Sequence, residues 1–471
     1  MADHDAAEAV RQLVWHGRTA EAVALLSDLG RDGDVDTLAL SALQTWVRHR
    51  APGAIPEHPQ PWAGRTRAGR VRPETDPWLV SAALLADALE HGTPGRVVPH
   101  AEIVLRDVRH GRGSNWSEEA SVLALDVLAA AGSPGDASDR GEQLLGEGMP
   151  TTARARIAAV LAGVALQQGD LASATRWASD ALRTLPVPAW GIEIGTPLGV
   201  LVDALVGTGR LDDAAQWLVT TVPGAMDVGI AGLRYRRGRA RFRMATGHPA
   251  AALADFTECG AMLERWGRDV ADEAVAWRLG TATARLQRGE LAEARRIAQE
   301  LLPSRAPRTR ASALRVLAAA SAPDRRVGML TEALELFESA GDVVGQAFAL
   351  SDLSEAYRAV EEIRTARLTS RRALHLARVA GVTTLVRDLE HTAGSEHAGD
   401  GTETAASALS ESERRVAGLA VRGYSNREIG SRLYITPSTV EQHLTRVYRK
   451  LGVRRRRDLP PDLWAAVSRA S

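Results

Sequence analysis

Between residues 1 and 390 apolar side chains recur at spacings of three and four, and alternating runs of β-branched residues are almost absent. That is the pattern of amphipathic helices following one another, each burying one face. The segment 391–408, HTAGSEHAGDGTETAASA, has no large apolar residue. It cannot add to a core and is expected to be a flexible linker. Beyond it, residues 409–471 return to short helical patterns with marked ends. LSESERRVAGLAVRG opens on Ser410 with Glu413 three positions on, a capping box, and closes at Gly423. A second box, Ser425 with Glu428, starts a short helix that presents Ile429 and Leu433. Thr436-Pro437 supplies an N-cap hydroxyl and a proline at the first helical position. The third helix that follows carries Val440, Leu444, Val447 and Leu451 as one apolar stripe.

A recurring phrase organises the long first part: Gly17-RTAE-Ala22, Gly169-DLAS-Ala174, Gly209-RLDD-Ala214, Gly247-HPAA-Ala252 and Gly289-ELAE-Ala294. The last four begin at intervals of 40, 38 and 42 residues. Each glycine is expected to end a helix in the positive-φ conformation, and each alanine falls in the first turns of the next helix, where a small side chain lets two antiparallel helices approach. One such hairpin per unit at this period predicts an all-α, tetratricopeptide-like helical-repeat solenoid. The phrase blurs between residues 30 and 150, where 52–77 is rich in proline and glycine and reads as a long loop. After residue 300 it continues less cleanly, with Glu361-EIRT-Ala366 in the glycine-bearing slot. The resulting division is a repeat domain at 1–390, a linker at 391–408 and a small helix-turn-helix domain at 409–471.

Charge separates the two parts. The chain has no formal net charge, yet residues 409–471 hold 13 basic against 6 acidic side chains, net +7, which leaves −7 on residues 1–408. A basic end on an acidic body suggests that the end meets a polyanion. On the third helix Ser438, Gln442, Thr445 and Arg449 point away from the apolar stripe, with Glu441, Arg446 and Lys450 on the flanks. Three short helices whose last has a polar, basic outer face make a helix-turn-helix unit of the right size for the DNA major groove. The 57 arginines to one lysine, with abundant alanine and glycine, are the composition of a GC-rich bacterial genome.

The stretch LSESERRVAGLAVRGYSNREIGSRLYITPSTVEQHLTRVYRKLGV resembles the LuxR-type DNA-binding domain nearly end to end. Matching positions are Glu413 to Val416, Ser425-Asn426-x-Glu428-Ile429, Ser438-Thr439-Val440 and Lys450-Leu451-Gly452-Val453. The resemblance implies that Glu441, Gln442 and Thr445 lie in the groove, and that Thr439, Arg446 and Lys450 hold phosphates. Thr436, Ser438, Arg449, Arg454 and Arg455 complete the expected phosphate contacts, Arg454 and Arg455 as part of the run Arg454 to Arg457. The family has a fourth helix used for dimer contacts; here Arg455 replaces a small polar cap and Pro460-Pro461 interrupts the segment, so that helix either starts late, near Asp462-Leu463-Trp464, or makes an altered contact. Residues 232–267 and 332–359 look like the helical repeats of the large ATP-binding LuxR-family regulators. No G-x-x-x-x-G-K-[ST] occurs, and Lys450 is the only lysine, so the nucleotide-binding loop of those regulators has no counterpart in this sequence.

Several functions lose their usual parts. G-x-S-x-G and H-E-x-x-H are both missing, so no enzyme is expected. No cofactor and no metal are expected: Cys259, the single cysteine, reads as a small buried apolar residue, and His391 and His397 have no scaffold of further ligands. The longest apolar stretch noted, residues 157–166, is too short for a bilayer, and the amino terminus has no signal pattern, which places the chain in the cytoplasm. The arginine run Arg234, Arg236, Arg237, Arg239, Arg241 and Arg243 is expected to form a solvated or inter-repeat salt-bridged face. The leading expectation is a transcription regulator, an activator, that binds double-stranded DNA as a homodimer, meets RNA polymerase and is controlled by a small-molecule or protein effector on the repeats. The alternative is an interaction scaffold with a vestigial DNA-binding end.

Overall fold

The computed structural model describes residues 2–32, 36–52, 54, 75–108, 114–146, 149–267, 271–399, 409–421, 423–451, 453, 455–456 and 459, with side chains left aside for 2–4, 271–275 and 394–399. Among these the secondary structure is entirely helical. The chain divides into two compact units, Met1–Glu390 and His391–Ser471.

The first unit is a succession of helices: α1 (Ala2–Trp15), α2 (Thr19–Asp32), α3 (Thr37–Arg50), α4 (Pro77–Glu90), α5 (Val98–Asp107), α6 (Asn115–Ala130) and α7 (Pro134–Leu144). It continues through α8 (Thr151–Gln168), α9 (Leu171–Thr184), α10 (Gly195–Gly207), α11 (Leu211–Leu218), α12 (Ile230–Ala245) and α13 (Pro249–Arg265). The last seven are α14 (Ala271–Gln287), α15 (Leu291–Leu301), α16 (Pro307–Ala319), α17 (Pro323–Ser339), α18 (Val343–Ala359), α19 (Ile363–Val379) and α20 (Thr383–Gly399). Short 3-10 turns at Pro94–Arg96, Val187–Ile194 and Gly224–Val228 join some of them. Five helices cover the stretch between residues 30 and 150 where the phrase blurs, so the architecture runs on where its sequence marker fades. Of the expected loop at 52–77, residues 53 and 55–74 lie outside the described residues, and α4 begins at Pro77. Helix α20 runs through Gly399, covering the first nine positions of the expected linker, and 400–408 lie outside the described residues.

The repeated phrase has one physical meaning at every occurrence. Gly17, Gly169, Gly209, Gly247 and Gly289 all have φ between 74° and 81°, and Glu361 occupies the same slot at φ 64°. In each case the following residue donates its backbone N–H to the carbonyl five positions back, for example Asp170 to Ala165 at 2.9 Å and Glu362 to Tyr357 at 2.9 Å. This is the Schellman closure, which satisfies a carbonyl that the helix end leaves unpaired. Ala22, Ala174, Ala214, Ala252, Ala294 and Ala366, each in the first turns of the second helix of a hairpin, are all fully buried. Larger side chains there would hold the helices apart.

Two carboxylate clusters tie the repeats together. Glu119 on α6 accepts from Arg50 and Arg156, each at 2.7 Å, and from the indole of Trp46 at 3.2 Å. Burial alone would raise its pKa; Arg156 and Arg50 outweigh that and hold it far below the usual carboxylate range. The arginine run on α12 is ion-paired. Arg239 and Arg243 meet the buried Asp255 of α13 at 2.7 and 2.6 Å, and Arg237 and Arg241 meet the buried Asp203 of α10. Cys259 is buried, its thiol 3.8 Å from the Leu233 carbonyl. The stretch Val187–Gly207 is long and apolar enough to cross a membrane by composition, but in the fold it is a 3-10 turn and α10, largely buried in the core of the repeats.

The superhelix also curls onto itself. Leu171 on α9 packs with Leu314, Phe337 and Leu350 of α16, α17 and α18. Arg308 donates to the Gln167 carbonyl, and Thr383 to that of Thr208. Helix ends far apart in sequence thereby meet, and a cavity open to solvent lies along the inner side of these repeats.

Candidate nucleic-acid interface

The second unit is built on α21 (Glu411–Val421), α22 (Asn426–Leu433) and α23 (Pro437–Leu451). Its core is Leu409, Val416, Ala417, Ala420, Ile429, Val440, Leu444, Val447 and Leu459. Three of the four stripe positions on α23 are buried, and Leu451 packs against their edge. Both capping boxes close. The Ser410 N–H reaches Glu413 at 2.9 Å and the Glu413 N–H reaches Ser410 Oγ at 3.3 Å; Ser425 and Glu428 repeat the exchange at 2.7 and 3.3 Å.

A three-residue turn, Tyr434 to Thr436, joins α22 to α23. Tyr434 takes the left-handed conformation at φ 57°, and the Ile435 N–H reaches back to the Gly430 carbonyl at 3.0 Å. A Cβ at Gly430 would stand 2.6 Å from the Ile435 carbonyl oxygen, so the turn closes only over a glycine. Thr436 then caps α23, its hydroxyl accepting from the Thr439 N–H at 3.2 Å and bonding the Thr439 hydroxyl at 2.8 Å.

With the apolar stripe held inward, the outer side of α23 is fixed. Glu441, Gln442 and Thr445 are exposed together, with Ser438, Arg446 and Arg449 exposed around them and Thr439 half-buried near the helix start. The Thr445 hydroxyl donates to the Glu441 carbonyl at 2.9 Å. Arg446 and Arg449 form no ion pair among the described residues. Arg455 is exposed, and Arg454 lies outside the described residues, as does the expected fourth helix from residue 460 onward.

Lys450 is placed differently from its expected phosphate. Its ammonium sits 2.7 Å from Glu413 Oε2, joining the end of α23 to the start of α21. The Lys450 hydrogen bond, and then the Ser410 N–H, hold the buried Glu413 carboxylate below its ordinary pKa. Arg456, in the run expected at phosphates, turns inward instead. Its guanidinium donates to the carbonyls of Ala420, at 3.3 Å, and Tyr424, and to Asn426 Oδ1 at 3.2 Å. The carbonyls at a helix end have no partner within the helix, and Arg456 supplies one for α21. Neither role has a local sequence signal, since both partners lie at least 30 positions away. Gly430 did have one: a glycine near the end of a helical pattern, costly against alanine there, points to a packing reason or a helix end.

Residues 407–460 match the profile of "Bacterial regulatory proteins, luxR family". Over 45 residues the chain is 49% identical to proteins named as HTH-type transcriptional regulators: Mb0914c of Mycobacterium bovis and Rv0890c of Mycobacterium tuberculosis. That match spans 10% of this chain and only 5% of each relative's length. Among solved structures, the chain is similar to a Rap protein complexed with Competence and Sporulation Factor, at TM-score 0.48 and 12% identity, over 80% of this chain and 98% of that one. It is also similar to the Rap conjugation gene regulator of plasmid pLS20 in complex with the Phr* peptide, at TM-score 0.42 and 11% identity, over 80% and 96%. The carboxy-terminal unit of this helical-repeat chain is a helix-turn-helix domain of the bacterial luxR regulatory family.

Proposed function

We propose that the protein is a transcription regulator, an activator, that reads double-stranded DNA with α23 and is controlled through its helical-repeat body. The observation that carries this reading is the division of α23 into two sides. Val440, Leu444 and Val447 are spent on the core, which leaves Glu441, Gln442 and Thr445 grouped on the opposite side with Arg446 and Arg449 beside them. Gln442 offers a paired donor and acceptor that suit the major-groove edge of adenine; Thr445 suits a thymine methyl or a hydrogen bond; Glu441 suits the amino group of cytosine. Arg446, Arg449, Arg455 and the amides at the start of α23, with Thr439 and Ser438, position the helix on phosphates. Lys450 and Arg456 hold α23 and the α21–α22 corner in place, so their part in binding is preorganisation.

A dimer on a two-fold symmetric site and contact with RNA polymerase complete the reading, and cytoplasmic residence follows from a chromosomal target. The body acts as the input: an effector that binds one arrangement of the repeats better than another shifts the population competent for DNA. The test is a mobility shift across a salt series with DNA from around the protein's own gene, using the full chain and residues 405–471. Specific binding by the short fragment, weaker in the full chain, supports an inhibitory body. No specific complex from either at low salt overturns the reading in favour of an interaction scaffold.

A further inference from the structure

We propose that the central cavity of the repeat body binds a small organic anion, a molecule with carboxylate or phosphate groups on an apolar framework. This deepens the regulator reading, and rests on it for the consequence of occupancy.

The cavity exists because the repeats close on themselves. It measures about 1280 Å³, larger than the ~300–1,000 Å³ of ordinary ligand sites, so its occupant is bigger than an inorganic ion. Its wall comes from the first helices of successive hairpins, including α8, α10, α12, α14, α16 and α18.

Charge selects the class of occupant. Arg234, Arg237 and Arg241 of α12 line the cavity, and Arg308, Arg315 and Arg326 face it from α16 and α17. Among the described residues the lining holds these six arginines against three carboxylates, Asp203, Asp352 and Glu355, inside a body whose sequence is acidic. Arg237 and Arg241 both turn to the one Asp203, and Arg315 takes Asp352 at 2.6 Å. Arg326 donates to a backbone carbonyl, that of Ser321, at 3.0 Å, and Arg308 to that of Gln167, with the Asp342 carboxylate, outside the lining, 3.6 Å from Arg308. Glu355 is pushed above its ordinary pKa by burial and by Asp352, which weakens the one lining carboxylate that has no arginine at bonding distance. Low-dielectric walls strengthen the field of such a set. Phe256, Met244, Leu279 and Leu330 supply the apolar remainder of the wall, and Ser312 and Thr283 supply hydroxyls.

Occupancy has a mechanical consequence. Arg308 lines the cavity and makes one of the contacts that close the body on itself. An anion shared by α12 and α16 favours the closed arrangement by its differential affinity for it.

The test is a fluorescence titration of the full chain with 1-anilinonaphthalene-8-sulfonate, an aromatic anion, and with its uncharged counterpart N-phenyl-1-naphthylamine. Citrate and pyrophosphate serve as competitors. Two variants are compared by binding and by melting temperature. Arg315→Gln/Arg326→Gln removes charge, whereas Gly163→Phe keeps every charge and fills space; Gly163 lines the cavity, and a Cβ added there meets nothing within 4 Å. The expected result is saturation of the sulfonate at one site, weakened by about tenfold or more in the charge variant, as for loss of a charge-assisted hydrogen bond. Gly163→Phe weakens it at unchanged melting temperature, and the uncharged probe is indifferent to the charge variant. Unchanged sulfonate affinity in Gly163→Phe overturns the proposal, as does equal weakening of both probes by the charge variant. If the charge variant does not fold, Gly163→Phe decides alone. None of these readings involves DNA, so a failed mobility shift with intact probe binding sinks the regulator reading and spares the cavity, and the reverse pair of results sinks only the cavity.

Discussion

Helices α12 and α23 both carry arginines and use them in opposite ways. Helix α12 carries six arginines within ten positions, and α23 carries Arg446 and Arg449. On α12 the guanidiniums of Arg237, Arg239, Arg241 and Arg243 turn to two buried carboxylates on neighbouring helices, Asp203 and Asp255, and Arg236 turns to Asp227. On α23 the stripe that must be buried is fully apolar, no carboxylate among the described residues pairs with Arg446 or Arg449, and both remain at the surface. Local composition is a poor guide to a basic surface; what decides is whether the packing partner brings a buried acid. The buried acids of α10 and α13 make α12 a structural seam, whereas Arg446 and Arg449 have no such counterpart among the described residues.

The largest test of that contrast is Asp255→Ala. Asp255 is buried and meets Arg239 at 2.7 Å, Arg243 at 2.6 Å and Arg236 at 3.9 Å. Removing it strands their charges, and breaking such a pair costs about 3–5 kcal/mol. Urea denaturation of the full chain should show that loss in the transition of the body. A change below about 0.5 kcal/mol, the range of ordinary surface substitutions, would mean that α12 is only a solvated face.

Next in size are Gln442→Ala and Thr445→Ala. Each should cost about 1–3 kcal/mol on a specific site while leaving nonspecific binding and the melting temperature unchanged. Mobility shifts against specific and scrambled duplexes separate the two terms. Equal losses on both duplexes would move these residues from base edges to the backbone.

The repeat fold was legible because its markers are local. A glycine followed five residues later by a fully buried alanine needs only one hairpin to be understood, and even the glutamate at 361 was readable in the glycine slot. The capping boxes and the apolar stripe of α23 were legible for the same reason. Partners that arrive from a distance were not. Nothing near Lys450 says that Glu413, 37 positions earlier, will take its ammonium, or that Arg456 will turn to the end of α21 while Arg455 stays exposed. Asp203 is the one acid of α10 and Asp255 one of three in α13, and their burial follows from the superhelix. The meeting of Gln167 with Arg308, which shapes the central cavity, depends on the summed rotation of several repeats and has no residue that announces it.

Within α23 the same contrast recurs on a smaller scale between Lys450 and Arg446, and a pair of variants sharpens it. Lys450→Gln should loosen the carboxy-terminal unit and leave the number of phosphates bound unchanged. The pH dependence follows from Glu413, whose pKa is held down in the folded state by Lys450 and by the Ser410 N–H. Its contribution is therefore full above the ordinary glutamate pKa and is lost as pH falls through the lowered, folded one. Thermal melting of the carboxy-terminal unit should decline on that acid side, and Glu413→Gln should flatten the decline. Arg446→Gln should do the opposite: leave melting untouched at every pH and reduce the slope of log affinity against log salt by ~0.9, the release of counterions from one phosphate. If Lys450→Gln lowered that slope equally, the Glu413 contact would be one the lysine gives up on meeting DNA, and α23 would present its basic end to phosphate as a whole.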